Sequence, residues 1–375
     1  MQSRAAILSA FPAERPYATS KPLSIETVEL DDPGPGEVLV RVVAAGLCHS
    51  DLSVINGDRP RPMPMALGHE AAGIVERCGE GVDDLSPGDH VVMVFVPSCG
   101  SCAPCAEGRP ALCEPGAKAN GEGTLLSGAR RIHWHGAGVY HHVGVSAFAD
   151  LAVISRRSLV KVDKAFPLER AALFGCAVLT GVGAVVNTAA VKAGQSVAVV
   201  GLGGVGLAAL LGAIAAGAAE VIAIDVNPEK LAFARSLGAT GTFEAGADTA
   251  GEVKEATRGG VDTAIETAGV MAAFDTAYKA TRRGGQTVTA SLANPAATYP
   301  LQHLSMVAEE RTLRGSYLGG GVPSRDIIRY MRLNAAGRLP VEKLHTGTSP
   351  LDEINEGFDA LADGAVVRRL IDLTA

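Results

Sequence analysis

Four cysteines fall within one short loop, Cys99, Cys102, Cys105 and Cys113, in the pattern C-x2-C-x2-C-x7-C. The loop also carries Gly100, Pro104, Gly108 and Pro110. Four thiolates converging on one point satisfy a tetrahedral zinc that needs no further ligand, which is the chemistry of a closed, structural site. The last interval does not fit the compact bacterial ferredoxin run, which argues against an iron–sulfur cluster. Cys48, His69 and Cys176 lie outside this loop and read as the ligands of a second, open metal site.

A chain of 375 residues is long enough for two domains, each with its own core. Its 47% apolar and 19% charged residues fit a soluble globular protein. The net charge of −7 gives no electrostatic reason to expect nucleic acid or an anionic membrane as partner. The stretch Met1 to Ser20 has charges and prolines where a signal peptide would have an apolar core. Val197 to Ile224 is apolar over a membrane-spanning length, but its glycines read it as a strand, a turn, a helix and another strand. Seven cysteines are an odd number, so metal ligation in a reducing cytoplasm is the expected use rather than disulfides. Cys78, outside both sites, reads as a small apolar residue in a strand.

The first part of the chain is rich in strand signals. Val38, Val40 and Val42 alternate after Pro33-Gly34-Pro35-Gly36, and Val91, Val92 and Val94 follow Pro87-Gly88-Asp89. The segment from Glu107 to Ala149, with its glycines and with His133, Trp134, His135, His141 and His142, reads as an irregular extended lobe held at its start by the four cysteines. From about Thr180, strand-like runs alternate with helical stretches, which implies a parallel sheet with helices on both faces. The expectation is an α/β protein with a β-rich domain and a doubly wound domain. Helical segments are expected at Arg325–Ala336 and Leu351–Ala362, and a final strand at Val366–Leu373.

Val197-Ala198-Val199-Val200 runs into Gly201-Leu202-Gly203-Gly204-Val205-Gly206 and then an Ala/Leu-rich helix. Gly201, Gly203, Gly204, Val205 and Gly206 form a turn that lets a pyrophosphate approach the positive end of that helix. Asp225 ends the next strand 19 residues after Gly206, the place of the acid that bonds the adenosine ribose and repels a 2′-phosphate. No arginine follows it directly, and Lys230 stands a helical turn away, so NAD is expected over NADP.

Gly46-Leu47-Cys48-His49-Ser50-Asp51, Gly68-His69-Glu70, the four-cysteine loop, Gly175-Cys176 and Gly201–Gly206 occur in the order found in zinc-dependent medium-chain alcohol dehydrogenases. The chain resembles that family over nearly its whole length. The long segment Glu107–Ala149 makes it similar to the animal-type and glutathione-linked formaldehyde dehydrogenase branches. The resemblance implies a GroES-like catalytic domain, residues 1–177 and 322–375, and a Rossmann NAD-binding domain, residues 178–321. It implies two zinc ions per chain, one structural, and one catalytic on Cys48, His69 and Cys176. Two thiolates neutralise such a dication while it still lowers the pKa of an alcohol.

By the same resemblance Glu70 is an acid behind the metal, and Asp51 orients the histidine ligand. Ser50 contacts the substrate oxygen and passes its proton outward. Where relatives often complete that relay with a histidine, this chain has Ser53, so the relay runs either through Ser53 and water or through the ribose to solvent by another route. His49 and Arg368 match contacts to the pyrophosphate, with Arg369 adjacent to the second, and Phe95 matches the aromatic wall of the substrate pocket.

The implied function is NAD-linked, zinc-dependent oxidation of a primary alcohol or reduction of its aldehyde, in a cytoplasmic homo-oligomer, a homodimer by preference. One alternative is S-(hydroxymethyl)glutathione dehydrogenase, which resembles this chain but uses an arginine shortly after the fourth cysteine; here Glu114-Pro115-Gly116-Ala117 follows Cys113. Another is a catalytically silent NAD-binding structural or regulatory protein, against which intact Cys48, His69 and Cys176 speak.

Overall fold

The structure, a computed structural model, describes every residue except Ala365 and Ala375. The chain divides into two units: Met1–Cys176 with Val322–Met331 and Glu342–Ala375, and Ala177–Gly321 with Arg332–Val341. Ala177 opens a helix, Ala177–Gly183, that packs inside the second unit, and Gly181 has no room there for a Cβ against Val205 O. Residues 332–341 follow the second unit although the resemblance places them in the first.

The first unit is built on the Glu37–Gly46 strand, in which only Arg41 is exposed. The strand's side chains alternate between faces, and both faces are packed. Val38, Val40 and Val42 enter one core with Val91, Met93 and Phe148. Leu39 enters another with Ala5, Ile7, Val139 and Val153. The strand pairs antiparallel with Ala71–Cys78, Leu151–Ser155 and Arg368–Asp372. The last of these brings the C-terminal segment beside the strand that leads to Cys48.

The second core fills a closed barrel of Gln2–Leu8, Leu23–Leu30, Ile132–Trp134, Ala137–His141 and Met65–Ala66. Two of its strands come from the segment expected to be an irregular lobe. That expectation is corrected: Ile132 and Val139 are paired and buried, and the intervening turn uses positive φ at His135 and Gly136. The polar histidines hid a hairpin because alternate positions still face inward.

The second unit holds a six-stranded parallel sheet in the order Gly241–Glu244, Glu220–Asp225, Ser196–Val200, Val261–Glu266, Thr281–Thr289, Thr312–Gly315. Numbered along the chain this is 3-2-1-4-5-6, the doubly wound order, which reverses beside Ser196–Val200. The apolar stretch Val197 to Ile224 is the first strand, the Gly204–Ala215 helix and the second strand. Among the described residues no helix is long and apolar enough to cross a membrane.

His141, the last residue of a barrel strand, is fully buried, and its Nε2 accepts the Arg131 N–H at 3.1 Å. Burial, with Arg131 and Arg130 adding and Glu37 opposing, pushes its pKa down to about 4. The unfolded chain takes up a proton near pH 6.5 that the folded protein refuses until about pH 4. Stability present above pH ~6.5 is therefore lost as pH falls to ~4, by up to about 3 kcal/mol from this group. Unfolding curves for wild type and His141→Gln should diverge across that window, the wild type having the steeper pH dependence. Identical slopes would assign the acid sensitivity to other groups.

Candidate functional site

Three segments of the first unit deliver Cys48, His69 and Cys176 to one place. Cys48 follows the Glu37–Gly46 strand and caps the His49–Ile55 helix in extended conformation. His69 follows Gly68, whose φ is +97° and whose Cβ would meet Phe148 N at 2.5 Å, so only glycine fits. Cys176 follows Gly175, where a Cβ would meet Met93 O at 2.3 Å. One donor atom each from Cys48, His69, Glu70 and Cys176 lies within 4.8 Å of the others, and all four residues are buried.

Neither cysteine is in a disulfide. Cys176 donates toward Cys48 and, against the cost of burial, holds that sulfur well below the usual thiol range, with His69 adding its charge. The same contact, together with burial, pushes Cys176 well above that range. His69 Nδ1 lies 3.1 Å from Asp51, whereas its Nε2 is buried with no hydrogen-bond partner among the described residues. Burial opposes a charge on His69, but Asp51 and Cys48 outweigh it and raise its pKa well above the ordinary imidazole value. An orphaned imidazole nitrogen facing two thiol sulfurs is a fit for zinc, a borderline-soft ion that favours nitrogen and sulfur donors.

Asp51 sits in the first turn of the His49–Ile55 helix, fully buried. Its Oδ1 accepts the Gly68 N–H at 3.1 Å. Burial opposes its ionisation, but His69 and His142 hold its pKa below the usual carboxylate value. Sequence reasoning missed His142 at this site. It neighbours His141, and adjacent residues at a strand end face opposite ways, one into the barrel and the other onto Asp51.

Glu70 is buried beside the sulfurs. Burial raises its pKa to about 7, with Arg368 pulling it back. Arg368 Nη1 lies 3.2 Å from Glu70 Oε2, a close charge pair without an aligned hydrogen bond, and donates to Leu47 O at 3.2 Å. The pair joins residues 298 positions apart, and no local pattern announces it. Arg368 is thus engaged inside the unit, so a phosphate contact would add to these partners rather than find a free side chain. Arg369 bonds Ser349 at 2.9 Å.

Ser50 and Ser53 stand on one face of the His49–Ile55 helix, three residues apart and half-buried. Ser53 Oγ donates to His49 O at 2.7 Å, so it must turn from its own helix to relay a proton. His49 is exposed at the helix start. Phe95 meets His69 edge to face, with ring centroids 5.4 Å apart.

The sulfurs of Cys99, Cys102, Cys105 and Cys113 also gather within 4.8 Å. Cys99 accepts the Ser101 and Cys102 N–H groups, which bring its pKa down to about 6. Cys113 accepts the N–H groups of Cys99 and Gly116, capping the Glu114–Glu122 helix. Burial pushes Cys105 up to about 12. Four converging sulfurs without a disulfide, two of them held by backbone donors, fit a structural zinc.

In the second unit a Cβ on Gly206 would meet Gly201 O at 1.8 Å, which fixes the tight turn before the Gly204–Ala215 helix. Gly203, by contrast, has nothing within 4 Å of where its Cβ would stand. Gly203 caps the helix with no side-chain partner, so backbone donors there can meet a pyrophosphate. Gly204 and Val205 begin that helix. Asp225 Oδ2 accepts the Leu202 N–H at 2.6 Å and Oδ1 the Asn227 N–H at 2.9 Å, so this acid also sets the glycine loop. Lys230 lies in the first turn of the Pro228–Leu237 helix. Val226 and Val270, 72% and 56% exposed, follow Asp225 and Gly269 on this edge of the sheet. Sequence reasoning also missed Glu266, buried and accepting Ala268 N–H, Gly269 N–H, Thr289 Oγ and Ser291 Oγ.

Residues 34–164 match the alcohol dehydrogenase GroES-like domain, and residues 204–335 match the zinc-binding dehydrogenase domain. The chain is 40% identical over 359 residues to putative alcohol dehydrogenase D of Mycobacterium tuberculosis, covering 95% of this chain and 97% of that protein. It is 40% identical over 375 residues to an NDMA-dependent alcohol dehydrogenase of Amycolatopsis methanolica, covering 99% of each. An S-(hydroxymethyl)glutathione dehydrogenase of Escherichia coli is 37% identical over 378 residues, 99% of this chain and 100% of that one. Among solved structures, an alcohol dehydrogenase zinc-binding domain protein of Burkholderia ambifaria superposes with a TM-score of 0.93 at 35% identity, covering 99% of both chains. Benzyl alcohol dehydrogenase of Acinetobacter calcoaceticus gives 0.92 at 31% identity, again covering 99% of both.

Removing Arg368 leaves Glu70 buried without its cation. Arg368→Ala should lower the free energy of unfolding by about 3–5 kcal/mol, the usual cost of breaking a buried pair from one side. With its folded pKa raised further above its unfolded value, Glu70 contributes less as pH rises, so the deficit should grow from pH 6 to pH 9. Adding Glu70→Gln should recover much of it. Denaturant unfolding of the three variants checks this; a pH-independent deficit would detach it from Glu70.

Proposed function

This chain belongs to the zinc-dependent medium-chain alcohol dehydrogenases, and we propose that it carries out reversible, NAD-linked hydride transfer between a primary alcohol and its aldehyde. The observation that supports this most directly is the buried convergence of Cys48 and Cys176 with the unpartnered Nε2 of His69. Zinc held by these three residues would supply Lewis acidity that lowers the pKa of the alcohol hydroxyl, and a bound nicotinamide cofactor would supply the hydride acceptor.

The chain's own residues do the rest. Ser50 accepts the alcohol proton at its Oγ, and Ser53, turned away from the His49 carbonyl, carries it outward. Asp51 keeps the His69 proton on Nδ1, which leaves Nε2 free as a donor atom. Arg368 offsets the charge of Glu70 and of the thiolates. Gly203 admits the pyrophosphate, while Asp225 bonds the adenosine ribose in addition to Leu202 and disfavours a 2′-phosphate. The four-cysteine loop holds a second zinc as a closed structural site.

The reading extends to a cytoplasmic homodimer with no nucleic acid or membrane partner. The Thr312–Gly315 strand supports the dimer: among the described residues it pairs only on its Thr281–Thr289 side, and it is exposed throughout.

Primary alcohols and S-(hydroxymethyl)glutathione should be assayed in parallel with NAD, NADP and NDMA as acceptor. The proposal expects primary alcohol oxidation with NAD preferred over NADP. Turnover confined to the glutathione adduct would favour the other branch, and turnover with NDMA but not with added NAD would remove NAD as a dissociating substrate. Metal analysis should find two zinc ions per chain. Cys48→Ser should lose one together with activity, and Cys102→Ser should lose the other together with thermal stability.

Ser50→Ala should cut turnover by about two to four orders of magnitude, the scale of lost acid–base assistance. Affinity for the cofactor should stay nearly constant. A deuterium isotope effect at the alcohol carbon must first show that chemistry limits the rate, because cofactor release can mask the loss. Wild-type turnover under that condition would take Ser50 out of the relay.

A further inference from the structure

One of the three residues assigned to the open metal site, His69, rests against the Asp51 carboxylate, and that carboxylate is held from more than one side. Asp51 Oδ1 takes the Gly68 N–H and lies 3.1 Å from His69 Nδ1. On another side His142 Nδ1 comes within 3.0 Å of the same oxygen. The approach is a close contact of the two groups that lacks hydrogen-bond alignment. An ionised carboxylate oxygen and a bare imidazole lone pair repel at that distance, so Nδ1 of His142 carries a proton.

The backbone fixes this ring's place. Ala137–His141 runs parallel to Met65–Ala66 with His141 opposite Ala66, so His142 and His69 reach Asp51 from paired strands. The His142 N–H donates to Ala66 O at 3.2 Å and to Ser146 Oγ at 2.9 Å. Its ring stands edge-on to His69, with centroids 5.4 Å apart and planes at 87°. His69 Nδ1 also lies 3.1 Å from Asp51 Oδ2, so it spans both carboxylate oxygens, while the Gly68 N–H and His142 both meet Oδ1.

We propose that His142 is a positioning residue for the catalytic zinc. Its Nδ1–H clamps Asp51, Asp51 fixes the plane of His69, and His69 keeps Nε2 aimed at the space beside Cys48 and Cys176. This rests on the reading that Cys48, His69 and Cys176 hold zinc. Partners one step behind a metal ligand change affinity by roughly 10–100-fold. His142 acts one step further back, at the low end of that range.

The test compares wild type, His142→Phe and His142→Asn, each loaded with zinc, by the rate at which a colorimetric chelator withdraws it. The electronic spectrum of the cobalt-substituted protein gives a second readout. His142→Phe should release the open-site zinc about tenfold faster and shift the cobalt bands, while release from the four-cysteine site stays constant as the internal reference. His142→Asn can place an amide N–H near the position of Nδ1, and it should restore both readouts. If the Phe variant does not fold, His142→Ala takes its place. Release within twofold of wild type, or an Asn variant as fast as Phe, overturns the clamp and leaves only a packing role. Should Cys48→Ser leave the wild-type zinc content unchanged, the metal reading falls and the clamp with it; zinc present but insensitive to His142 overturns the clamp alone.

Discussion

The fold of the first unit has to keep a dense set of ionisable groups dry. Cys48, Cys176, Asp51, Glu70, His69, His142 and Arg368 are all buried. Burying one such charge without a partner costs several kcal/mol. Arg368 is the only permanent cation among the seven, against two carboxylates and two thiols. The contact between the two thiols holds Cys48 low and, with burial, pushes Cys176 high. A zinc dication held by Cys48, His69 and Cys176 would offset the charge of both sulfurs.

That need explains several features of the backbone. Gly68 has to be glycine so that the chain can bend past Phe148 and present His69. The Glu37–Gly46 strand has to be packed on both faces, because one end leads to Cys48 and its pairing with Arg368–Asp372 sets the arginine beside Glu70. The barrel is more than a support. Its hairpin sends His141 to the Arg131 N–H and His142 toward Asp51, so two neighbouring histidines, both lowered by burial, meet different partners.

In the second unit the same economy appears in carboxylates that accept from loop donors. Asp225 accepts from the glycine loop it is expected to serve, so the acid proposed to select the cofactor also shapes the turn proposed to admit its phosphates. Glu266 ties residues 268–269 to the end of the Thr281–Thr289 strand through four donors, again at the carboxyl edge of the sheet. At a switch point of a doubly wound sheet, rigidity of these loops matters more than their length.

The sequence by itself determined the two sulfur-rich sites, the glycine turn and its acid, the doubly wound class of the second unit, and the family. Each of these is written in local spacing: a loop that converges four thiols, or a strand, turn and helix in direct succession, needs no distant contact to be read. Only the tertiary structure decided that Glu107–Ala149 closes a barrel, that Arg368 turns onto Glu70, that Ser53 is bonded to its own helix, and that His142 shares Asp51 with His69. Those facts depend on which distant segments pair and on which face of a strand each residue takes. Shifting a register by one residue exchanges those faces, and no motif within a single stretch of chain records the choice.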